Sequence, residues 1–340
     1  MSGPKISVII PARNEADNIQ ECLEAIFSQS YPPYEVLVVD GNSTDDTVEK
    51  AKAYPVKILC EDAHSKGFAC QIGVENATGE YIAFINSDCI PRKDWLASLV
   101  REFRDGIVGV GGTAKLVDTG DGFWEKYIAL TMQTALGSAN SIQWRTFRDK
   151  RFVKSIAGCS SMYRARDIAE VGGFSAELAD KMLGGQDLEL NNRLLKIGNL
   201  LYTPHAIVTH RHPWTFKSYA DKMFHYGRER GFIMAWDLQA IPPLIAPFLL
   251  LLLLINYKII LPLLGVYLIL LAAAGIKLAF QERAARCLLY VPVVYVCEHV
   301  SYLIGFWEGF LERAWLWHSW LPGRSKIAPD KARTDIKRRK

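Results

Sequence analysis

The stretch that decides the fold is KISVIIPARNE, residues 5–15, in which an apolar run reaches Pro11 and continues into polar residues. It predicts a buried strand followed by a loop. A second run, YEVLVVD at residues 34–40, predicts another such strand. Between them, residues 17–29 carry apolar side chains at helical spacing, with Asp17 as the expected N-cap. Strand, helix and strand in this order predict a parallel α/β sheet with a ligand site where the strands end.

The same alternation repeats further along the chain. Helices are predicted at residues 45–52 and 67–77, and strands at residues 56–59 and 81–85. The last strand is followed directly by Asn86-Ser87-Asp88. Because parallel strands end at one edge of a sheet, Asp40 and Asp88 are expected on the same edge. Carboxylates suit hard divalent cations, so this edge is a candidate metal site; the alternative is an acidic residue that only solvates a turn.

These segments together resemble the inverting family 2 glycosyltransferases, which have the nucleotide-sugar-binding fold called GT-A. The matching segments, in the order in which the family has them, are residues 8–15, 38–45, 79–88, 171–174 and 185–190. The resemblance implies an α/β GT-A catalytic domain with a mostly parallel sheet, which we assign to residues 1–236. The remainder, residues 237–340, resembles the membrane anchor of family members that act on exopolysaccharide or lipid-linked glycans.

The resemblance also implies donor-side roles for individual residues. Pro11, Asn14 and Glu15 would line the base and ribose of the nucleotide, and Asp40 would accept a hydrogen bond from the base. Asp88 would bind a divalent cation, Mg²⁺ or Mn²⁺, and through it the diphosphate of a UDP- or GDP-linked sugar.

The acceptor-side role falls to Asp187, the expected catalytic base. Inverting transfer is an in-line attack that needs a base beside the acceptor hydroxyl. Asp187 begins a segment of helical spacing, residues 187–195, so the alternative is an acid that only stabilises a helix N-terminus. Two residues depart from the family pattern. Asn86 replaces an acid; it can still bind substrate through a hydrogen bond to a ribose hydroxyl, but it adds no charge to the metal site. Gln186, also a candidate substrate contact, replaces the usual Glu and reduces like-charge repulsion on Asp187.

Three further positions are candidate phosphate or metal contacts. Residues 206–209 read as a strand, and His210, Arg211 and His212 follow it. A His-x-His pair on a strand points both rings to one face, which suits joint metal ligation, and Arg211 suits a phosphate. Family members with a histidine here use it as a metal or diphosphate contact. Solvated loop histidines are the alternative.

Two weaker candidates lie before and after predicted helices. Lys66 precedes the helix at residues 67–77, where it suits a phosphate. Gly173 follows a helix at residues 166–170, and in the resembling family this stretch lies beneath the donor and acceptor sugars. A turn glycine or a helix C-cap is the alternative.

Beyond residue 240 the composition becomes that of a membrane region. Residues 241–276 are almost wholly apolar and long enough for a hairpin of two crossings. A third segment, residues 287–310, is interrupted by Glu298, His299 and Glu308, which are costly inside a bilayer. The loop before it and the tail at residues 337–340 are basic, so both are expected in the cytoplasm. This favours two crossings, with the third segment in the interface or re-entrant.

Composition adds a compartment and excludes one class of partner. The chain has 340 residues, 50% hydrophobic, and a formal charge of +4 from dispersed basic residues, which predicts no nucleic-acid partner. Its seven cysteines show no paired or metal-type spacing, which fits a reduced, cytoplasmic catalytic domain on a multi-pass cell-membrane protein. Residues 113–155 lack clear strands and predict a helical insertion near the acceptor and in contact with the membrane; ordinary core packing is the alternative. The basic residues Lys217, Lys222, Arg228 and Arg230 are candidate contacts for lipid headgroups or a lipid phosphate.

The favoured function is transfer of one sugar, with inversion, to a lipid-linked or polysaccharide acceptor at the membrane. One alternative is a polyprenyl-phosphate sugar synthase, whose phosphate acceptor is already ionised and needs no base. A required Asp187 argues against it. A third interpretation is a membrane glycan-binding protein descended from a transferase. The departures from the family pattern at Asn86 and Gln186 are compatible with such a protein.

Overall fold

The computed structural model describes residues 3–116, 122–138, 141–181, 185–210, 214–235 and 238–319. The strands within these ranges are β1 (Ile6–Ala12), β2 (Glu35–Asp40), β3 (Lys57–Cys60), β4 (Tyr81–Phe84), β5 (Cys89–Pro91), β6 (Ile107–Leu116), β7 (Arg151–Val153), β8 (Ser161–Arg164) and β9 (Asn199–His210). The helices before the membrane region are α1 (Ile19–Phe27), α2 (Thr47–Lys52), α3 (Lys66–Asn76), α4 (Trp95–Val100), α5 (Glu125–Met132), α6 (Ala135–Ser138), α7 (Ala165–Glu170), α8 (Ala176–Asp180), α9 (Gln186–Leu194) and α10 (Phe216–Ile233).

All the described strands form one mixed sheet, which confirms the predicted α/β class. Its order is β3-β2-β1-β4-β8-β6-β9-β5, with β7 also paired to β9. The pairs β1–β2, β1–β4, β2–β3 and β6–β9 are parallel, and the others are antiparallel. Since β1, β2 and β4 run in the same direction, the polar loops that follow them meet at one edge, as the sequence predicts.

Strand β1 shows why the sheet is buried on both faces. Ile6, Val8 and Ile10 are fully buried in the same cluster as the apolar residues of α1. Ile9 points to the opposite face, where a Cβ on Gly73 of α3 would lie 2.5 Å from it. A strand that is covered by helices on both faces needs apolar residues at consecutive positions rather than alternation.

One predicted cap is wrong. Asp17 is not the N-cap of the first helix, because the carbonyl of Glu15 accepts hydrogen bonds from the N–H groups of both Asn18 and Ile19. This turn occupies residues 15–18, so α1 begins only at Ile19 with Asn18 as its cap.

The segment at residues 113–155 is only partly the helical insertion that was expected. The absence of strands was wrong, since β6 extends to Leu116 and β7 lies at Arg151–Val153. The helical part, α5, lies against the membrane region, as was expected of this insertion. The rings of Trp124 and Tyr127 lie 5.5 and 5.0 Å from the ring of Tyr290.

The membrane region consists of α11 (Ile241–Ile255), α12 (Tyr257–Glu282) and α13 (Cys287–Ser319). Helices α11 and α12 form the predicted hairpin, separated by Asn256, whose side chain caps α12. Among the described residues, three helices are long and apolar enough to cross a membrane: Leu238–Ile255, Tyr257–Glu282 and Cys287–Trp315.

Helix α13 differs from the other two because its second half is bound to the catalytic domain. Glu312 lies 2.9 Å from Lys181 and 2.9 Å from Arg228, and Glu308 lies 3.1 Å from Arg228. Of the residues that interrupt this segment in the sequence, Glu308 and Glu298 therefore have partners in α10, where Tyr219 donates to Glu298 at 2.8 Å. His299 instead contacts the hairpin, with its Nδ1 2.8 Å from the Tyr267 hydroxyl of α12. The helix is continuous, rather than folded back as a re-entrant loop.

Glycines allow α10 and α13 to approach until their backbones touch. A Cβ on Gly231 would lie 2.0 Å from the carbonyl oxygen of Phe306, and a Cβ on Gly305 would lie 1.9 Å from that of Phe224. Gly227 and Gly309 are equally close to the opposite helix. Each helix thus has two glycines four residues apart at the contact, the spacing that permits close helix packing. The sequence analysis did not identify this pairing.

Candidate active site

The loops after β1 and β2 are tied together by side-chain hydrogen bonds. Asn14 has a left-handed backbone conformation, with φ of 52°. Its Oδ1 accepts from the N–H of Thr44 at 2.8 Å, and its own N–H donates to Ser43 Oγ at 2.9 Å. Ser43 then donates to the buried Asp40 carboxylate from its hydroxyl, at 2.5 Å, and from its N–H, at 3.1 Å. These contacts fix Asp40 at the sheet edge.

Glu15 lies at the same edge, with a carboxylate turned inward. Its N–H donates to Thr47 Oγ1 at 2.7 Å, and its carboxylate accepts from Asn18 Nδ2 at 2.8 Å. Burial raises the pKa of Glu15; the Asn18 bond opposes this shift and the nearby Asp88 carboxylate adds to it. Pro11 is half-buried in β1 and lies opposite Val39 of β2, the residue before Asp40.

Sheet pairing brings Asp88 and His210 together from distant parts of the chain. Because β5 and β9 are antiparallel with Cys89 opposite His210, Asp88 Oδ2 lies 3.2 Å from His210 Nε2. Desolvation opposes the charged imidazole, but the hydrogen bond and charge of Asp88 outweigh it and raise the pKa of His210. The His210 ring meets Trp144 edge-on, with centroids 5.7 Å apart. The sequence analysis had not assigned Trp144 to the site.

Asp88, Cys89 and His210 are the residues that can hold a metal ion. Among the described residues they are the group of three potential ligands whose donor atoms lie within 4.8 Å of one another. Thiolates favour softer metals than Mg²⁺ or Mn²⁺, so the Asp88 carboxylate and the His210 imidazole are the primary candidates. Arg211 and His212, the other predicted contacts here, lie outside the described residues.

Lys66 connects the metal-side residues to the expected base. Its ammonium group donates to Asn86 Oδ1 at 2.7 Å. Desolvation disfavours the charge, but the acidic groups nearby, Cys70, Asp187 and Asp88 among them, outweigh it and raise the pKa of Lys66. A permanent positive charge therefore lies among the site carboxylates, where a diphosphate would need one.

Asp187 is held at the start of α9 by backbone groups. Gly185, with φ of 68°, turns the chain into the helix. Asp187 Oδ2 accepts from the N–H of Gly158 at 2.9 Å, and Oδ1 accepts from the following N–H at 2.9 Å. The preceding Gln186 is buried against Gly67, where a Cβ would lie 2.4 Å from its amide. Gln186 thus packs α9 onto α3 rather than projecting a charge into the site.

The loop containing Gly173 is braced to the helix that carries Asp187. Arg193 of α9 donates to the Gly173 carbonyl at 2.6 Å. Gln71 accepts from the N–H of Phe174 at 2.8 Å, and a Cβ on Gly173 would lie 2.4 Å from Gln71. Gly173 has φ of 72°, so both its conformation and this contact require glycine.

The structure separates the four basic residues of α10 that were predicted as lipid contacts. Arg228 is committed to the two glutamates of α13. Lys222 instead lies with its ammonium 4.9 Å from the ring centroid of Tyr226. The Tyr226 hydroxyl accepts from Gln143 Nε2 at 3.0 Å. Tyr226 and Gln143 were not predicted, although the four-residue spacing of Lys222 and Tyr226 indicates one helix face.

The predicted residues that the structure describes gather around this edge of the sheet. They are Pro11, Asn14, Glu15, Asp40, Lys66, Asn86, Asp88, Gly173, Gln186, Asp187 and His210. Their proximity follows from strand ends, the β5–β9 pairing and the N-termini of α3 and α9. Their individual chemical roles stay predictions.

Comparison with known proteins identifies the kind of enzyme. The family model described as "Glycosyl transferase family 2" matches residues 7–172. The chain is 32% identical to "Glycosyltransferase AglE" of Haloferax volcanii over 248 residues, which are 70% of this chain and 76% of that protein. It is 27% identical, over 90% of this chain and 97% of the other, to a Methanococcus voltae enzyme. That enzyme is named "Dolichyl N-acetyl-alpha-D-glucosaminyl phosphate 3-beta-D-2,3-diacetamido-2,3-dideoxy-beta-D-glucuronosyltransferase".

Solved structures show the same fold. The mannosyltransferase PcManGT from Pyrobaculum calidifontis, solved with GDP-Man and Mn²⁺, aligns with a TM-score of 0.57 at 22% identity, over 92% of this chain and 87% of that one. The fold, the family model and the Haloferax volcanii relative agree with one another. The chain therefore belongs to glycosyl transferase family 2 and is a glycosyltransferase.

Proposed function

We propose that this enzyme transfers one sugar, with inversion, from a UDP- or GDP-linked donor to a lipid-linked glycan at the membrane. The observation that carries the proposal is the placement of Asp88 with His210, Lys66 and Asp187 around one sheet edge. A cation-binding pair, a positive charge and an acceptor-side carboxylate are what this reaction requires. The Methanococcus voltae relative, whose name includes a dolichyl-phosphate-linked sugar, supports a lipid-linked acceptor.

The donor set fits a divalent cation such as Mn²⁺ or Mg²⁺. Asp88 offers an oxygen and His210 a nitrogen 3.2 Å apart, a combination that suits Mn²⁺ well. Solved relatives by fold contain Mn²⁺ beside GDP-Man, as in PcManGT, or beside UDP, as in GalNAc-T7. When bound, the cation supplies charge neutralisation for the diphosphate leaving group.

The residues of the chain then have distinct tasks in a single displacement. Asp40 would orient the nucleotide, and Lys66 would offset the charge on the diphosphate as the bond from the anomeric carbon to the phosphate oxygen breaks. Asp187 would take the proton of the acceptor hydroxyl as the new bond from its oxygen to the anomeric carbon forms. Each Asp187 oxygen accepts one backbone hydrogen bond, so each retains a lone pair for the hydroxyl.

A polyprenyl-phosphate sugar synthase is the alternative within the family. Its acceptor is an ionised phosphate, which needs no proton acceptor. The backbone donors that orient the Asp187 carboxylate favour a hydroxyl acceptor instead. A non-catalytic glycan-binding protein carries out no transfer, so it would not need the backbone hydrogen bonds that orient the Asp187 carboxylate.

For the membrane we propose two crossings, α11 and α12, in the cell membrane, with the catalytic domain in the cytoplasm. Helix α13 would lie on the same side as the domain, because Glu308 and Glu312 pair with Arg228 and Lys181 of that domain. This arrangement places the basic loop before α13 and the basic tail on one side, in agreement with the positive-inside rule.

The test is donor turnover by the detergent-purified protein. UDP- and GDP-sugars would be screened with membrane lipid extract and Mn²⁺, with and without a chelator, for wild type, Asp88→Asn and Asp94→Asn. Asp94 is the matched control, since it pairs with Arg92 in an exposed contact. We expect transfer that the chelator and Asp88→Asn abolish and Asp94→Asn leaves unchanged. Transfer that neither the chelator nor Asp88→Asn reduces would contradict the proposed metal site. Nucleotide-sugar binding without turnover would favour the binding-protein alternative.

A further inference from the structure

The face of α10 that lies beside the base carries Lys222, Tyr226 and Glu229. These positions are four and three residues apart, so they follow one another along one side of the helix. Glu229 lies against Gly185, because a Cβ on Gly185 would be 3.2 Å from Glu229 Cβ. Gly185 is the residue from which the chain enters α9, two residues before Asp187. The row that begins with Lys222 therefore borders the acceptor side of the site.

The ammonium group of Lys222 has a different environment from the guanidinium group of Arg228. Among the described residues, no carboxylate lies within ion-pair distance of its ammonium group, whereas Arg228, further along the same helix, is paired with two glutamates. The ammonium rests 4.9 Å from the centre of the Tyr226 ring, which Gln143 fixes through a 3.0 Å hydrogen bond. The contact with a ring face holds the charge in place without neutralising it.

The surroundings of Lys222 favour an anionic ligand. The side chain of Lys222 is exposed, yet the protein around its ammonium group lowers the pKa of Lys222 by desolvation, while Glu229 opposes the shift. Lys66 adds to the lowering, and Asp88 and Asp187 oppose it. An anion bound beside the ammonium group would favour its charged form.

The two lysines of the site belong to different halves. Lys66 donates to Asn86 at the end of β4, next to Asp88, on the side of the donor diphosphate. Lys222 is on the row of α10 that ends at Glu229 beside Gly185, about 140° around the helix axis from Gly227 and so away from the contact with α13. A lipid-linked acceptor carries its phosphate between the lipid chain and the sugar. A cation on the acceptor side, near the base, matches a phosphate that is attached to the acceptor sugar.

We propose that Lys222 binds the phosphate that joins the acceptor sugar to its lipid, and so positions the sugar hydroxyl at Asp187. This inference rests on the proposed function and names a binding residue for the acceptor. The phosphate would be bound but not transferred. Lys217 was predicted as a lipid contact together with Lys222, but it lies about 140° around the axis of α10 from Lys222 and outside the row that leads to Gly185, so it provides a matched control.

The first experiment measures protection of single lysines from acetylation in the detergent-purified full chain. The rate of modification of Lys222, Lys217 and Lys66 would be followed by mass spectrometry. The additions are farnesyl phosphate, farnesol, phosphatidylglycerol, or a nucleoside diphosphate (UDP or GDP) with Mn²⁺. We expect farnesyl phosphate to slow modification of Lys222 several-fold and to leave Lys217 unchanged, while farnesol and phosphatidylglycerol have no effect. The nucleotide should protect Lys66 and leave Lys222 unchanged.

Three results would overturn the inference. Equal protection by farnesol and farnesyl phosphate would show that the phosphate is not recognised. Protection by phosphatidylglycerol would assign Lys222 to bulk lipid headgroups, and protection by the nucleotide would assign it to the donor.

The second experiment compares Lys222→Met with Lys217→Met. Loss of a charged contact should weaken farnesyl phosphate binding by about 10- to 100-fold in Lys222→Met. Lys222→Met should also raise the concentration of lipid extract needed for half-maximal transfer and leave the KM for the donor unchanged. Lys222→Arg should partly restore binding of farnesyl phosphate. Unchanged phosphate affinity in Lys222→Met contradicts the inference.

Transfer with an unprotected Lys222 would refute the inference alone. A protected Lys222 in a protein that transfers no sugar would instead refute the proposed function.

Discussion

The donor side and the acceptor side of this site are built in different ways. The donor side consists of the loops after β1, β2 and β4, where residues close in sequence bind one another, as Ser43 binds Asp40. The acceptor side depends on α9, α10 and α13, and the contact of Gly231 with Phe306 joins positions far apart in the chain. A strand end fixes a carboxylate with a few local hydrogen bonds. A helix face can be placed only by the helices that pack against it.

The largest expected effect is on the acceptor side, at Asp187. Asp187→Asn removes the proton acceptor while nearly preserving shape, so we expect transfer to fall by about 10²- to 10⁴-fold. Nucleotide binding should change much less than transfer, because Asp40 and Asp88 are held by Ser43 and His210 and not by α9. Single-turnover transfer and nucleotide titration measure the two quantities. A variant that transfers at the wild-type rate would promote the phosphate-acceptor alternative.

The next effect concerns the donor side, at Asp88. Mutation of residues that only hydrogen-bond to the metal ligands already lowers metal affinity about 10- to 100-fold. Asp88→Asn removes a ligand, so it should raise the Mn²⁺ concentration for half-maximal UDP or GDP binding by at least about 100-fold. Titration of Mn²⁺ against nucleotide fluorescence measures this shift, with Asp94→Asn as the control. An unchanged midpoint would remove Asp88 from the metal site.

A glycine substitution separates the two halves of the site. Gly231→Ala places a Cβ 2.0 Å from the Phe306 carbonyl oxygen, so α10 and α13 must move apart. Overpacking of this kind costs about 1–3 kcal/mol. Because the shift displaces the acceptor side, transfer should fall about tenfold or more, with nucleotide affinity nearly unchanged.

The control for that variant is Gly265→Ala in α12, where a Cβ meets nothing within 4 Å. It should behave as wild type in transfer, nucleotide binding and thermal unfolding. Equal loss of nucleotide binding and transfer in Gly231→Ala would show that the two sides are not independent.

The smallest effect tests the scaffold beneath the donor side. Glu35 accepts from Ser7 Oγ at 2.6 Å and from Thr78 N and Oγ1 at 2.6 and 2.8 Å. Desolvation would raise the pKa of Glu35, but these hydrogen bonds outweigh it and lower it. A lowered folded-state pKa stabilises the protein above the unfolded-state value, about 4.3, and the benefit is lost as pH falls through the folded-state pKa.

Glu35→Gln should therefore reduce the free energy of unfolding by about 1 kcal/mol at neutral pH, and the difference should shrink as pH falls below about 4. Thermal unfolding across this pH range measures it. Glu49→Gln is the control, because its pair with Lys52 is largely exposed and should contribute less than about 0.5 kcal/mol. A Glu35 effect that grows in acid would contradict the pKa assignment.

The sequence predicts the donor side well, for a physical reason. An apolar run that ends in polar residues indicates a buried strand and its loop, so Asp40 and Asp88 are placed by period and order alone. His210 is harder, because it reaches Asp88 only through the antiparallel pairing of β5 with β9. The prediction of His210 as a metal or diphosphate contact therefore depended on the resemblance to a family, because residue spacing alone does not indicate this strand pairing.

The acceptor side is hard to predict from the sequence because its contacts join segments that are far apart along the chain. The cations of α10 look alike in the sequence, yet Arg228 is neutralised by α13 and Lys222 is not. Glu308 reads as a cost to a membrane helix and proves to be an ion-pair partner. Asp17 fails as a cap for a different, local reason, since a turn closed by the Glu15 carbonyl occupies its place.

The most direct test of the central claim, a single displacement with Asp187 as base, is the anomeric configuration of the product. Once the screen yields an active donor, proton NMR of the transferred sugar compares its anomeric coupling with that of the donor. The account predicts the opposite configuration in the product, because the acceptor oxygen attacks from the side away from the diphosphate. A product that retains the donor configuration would contradict it.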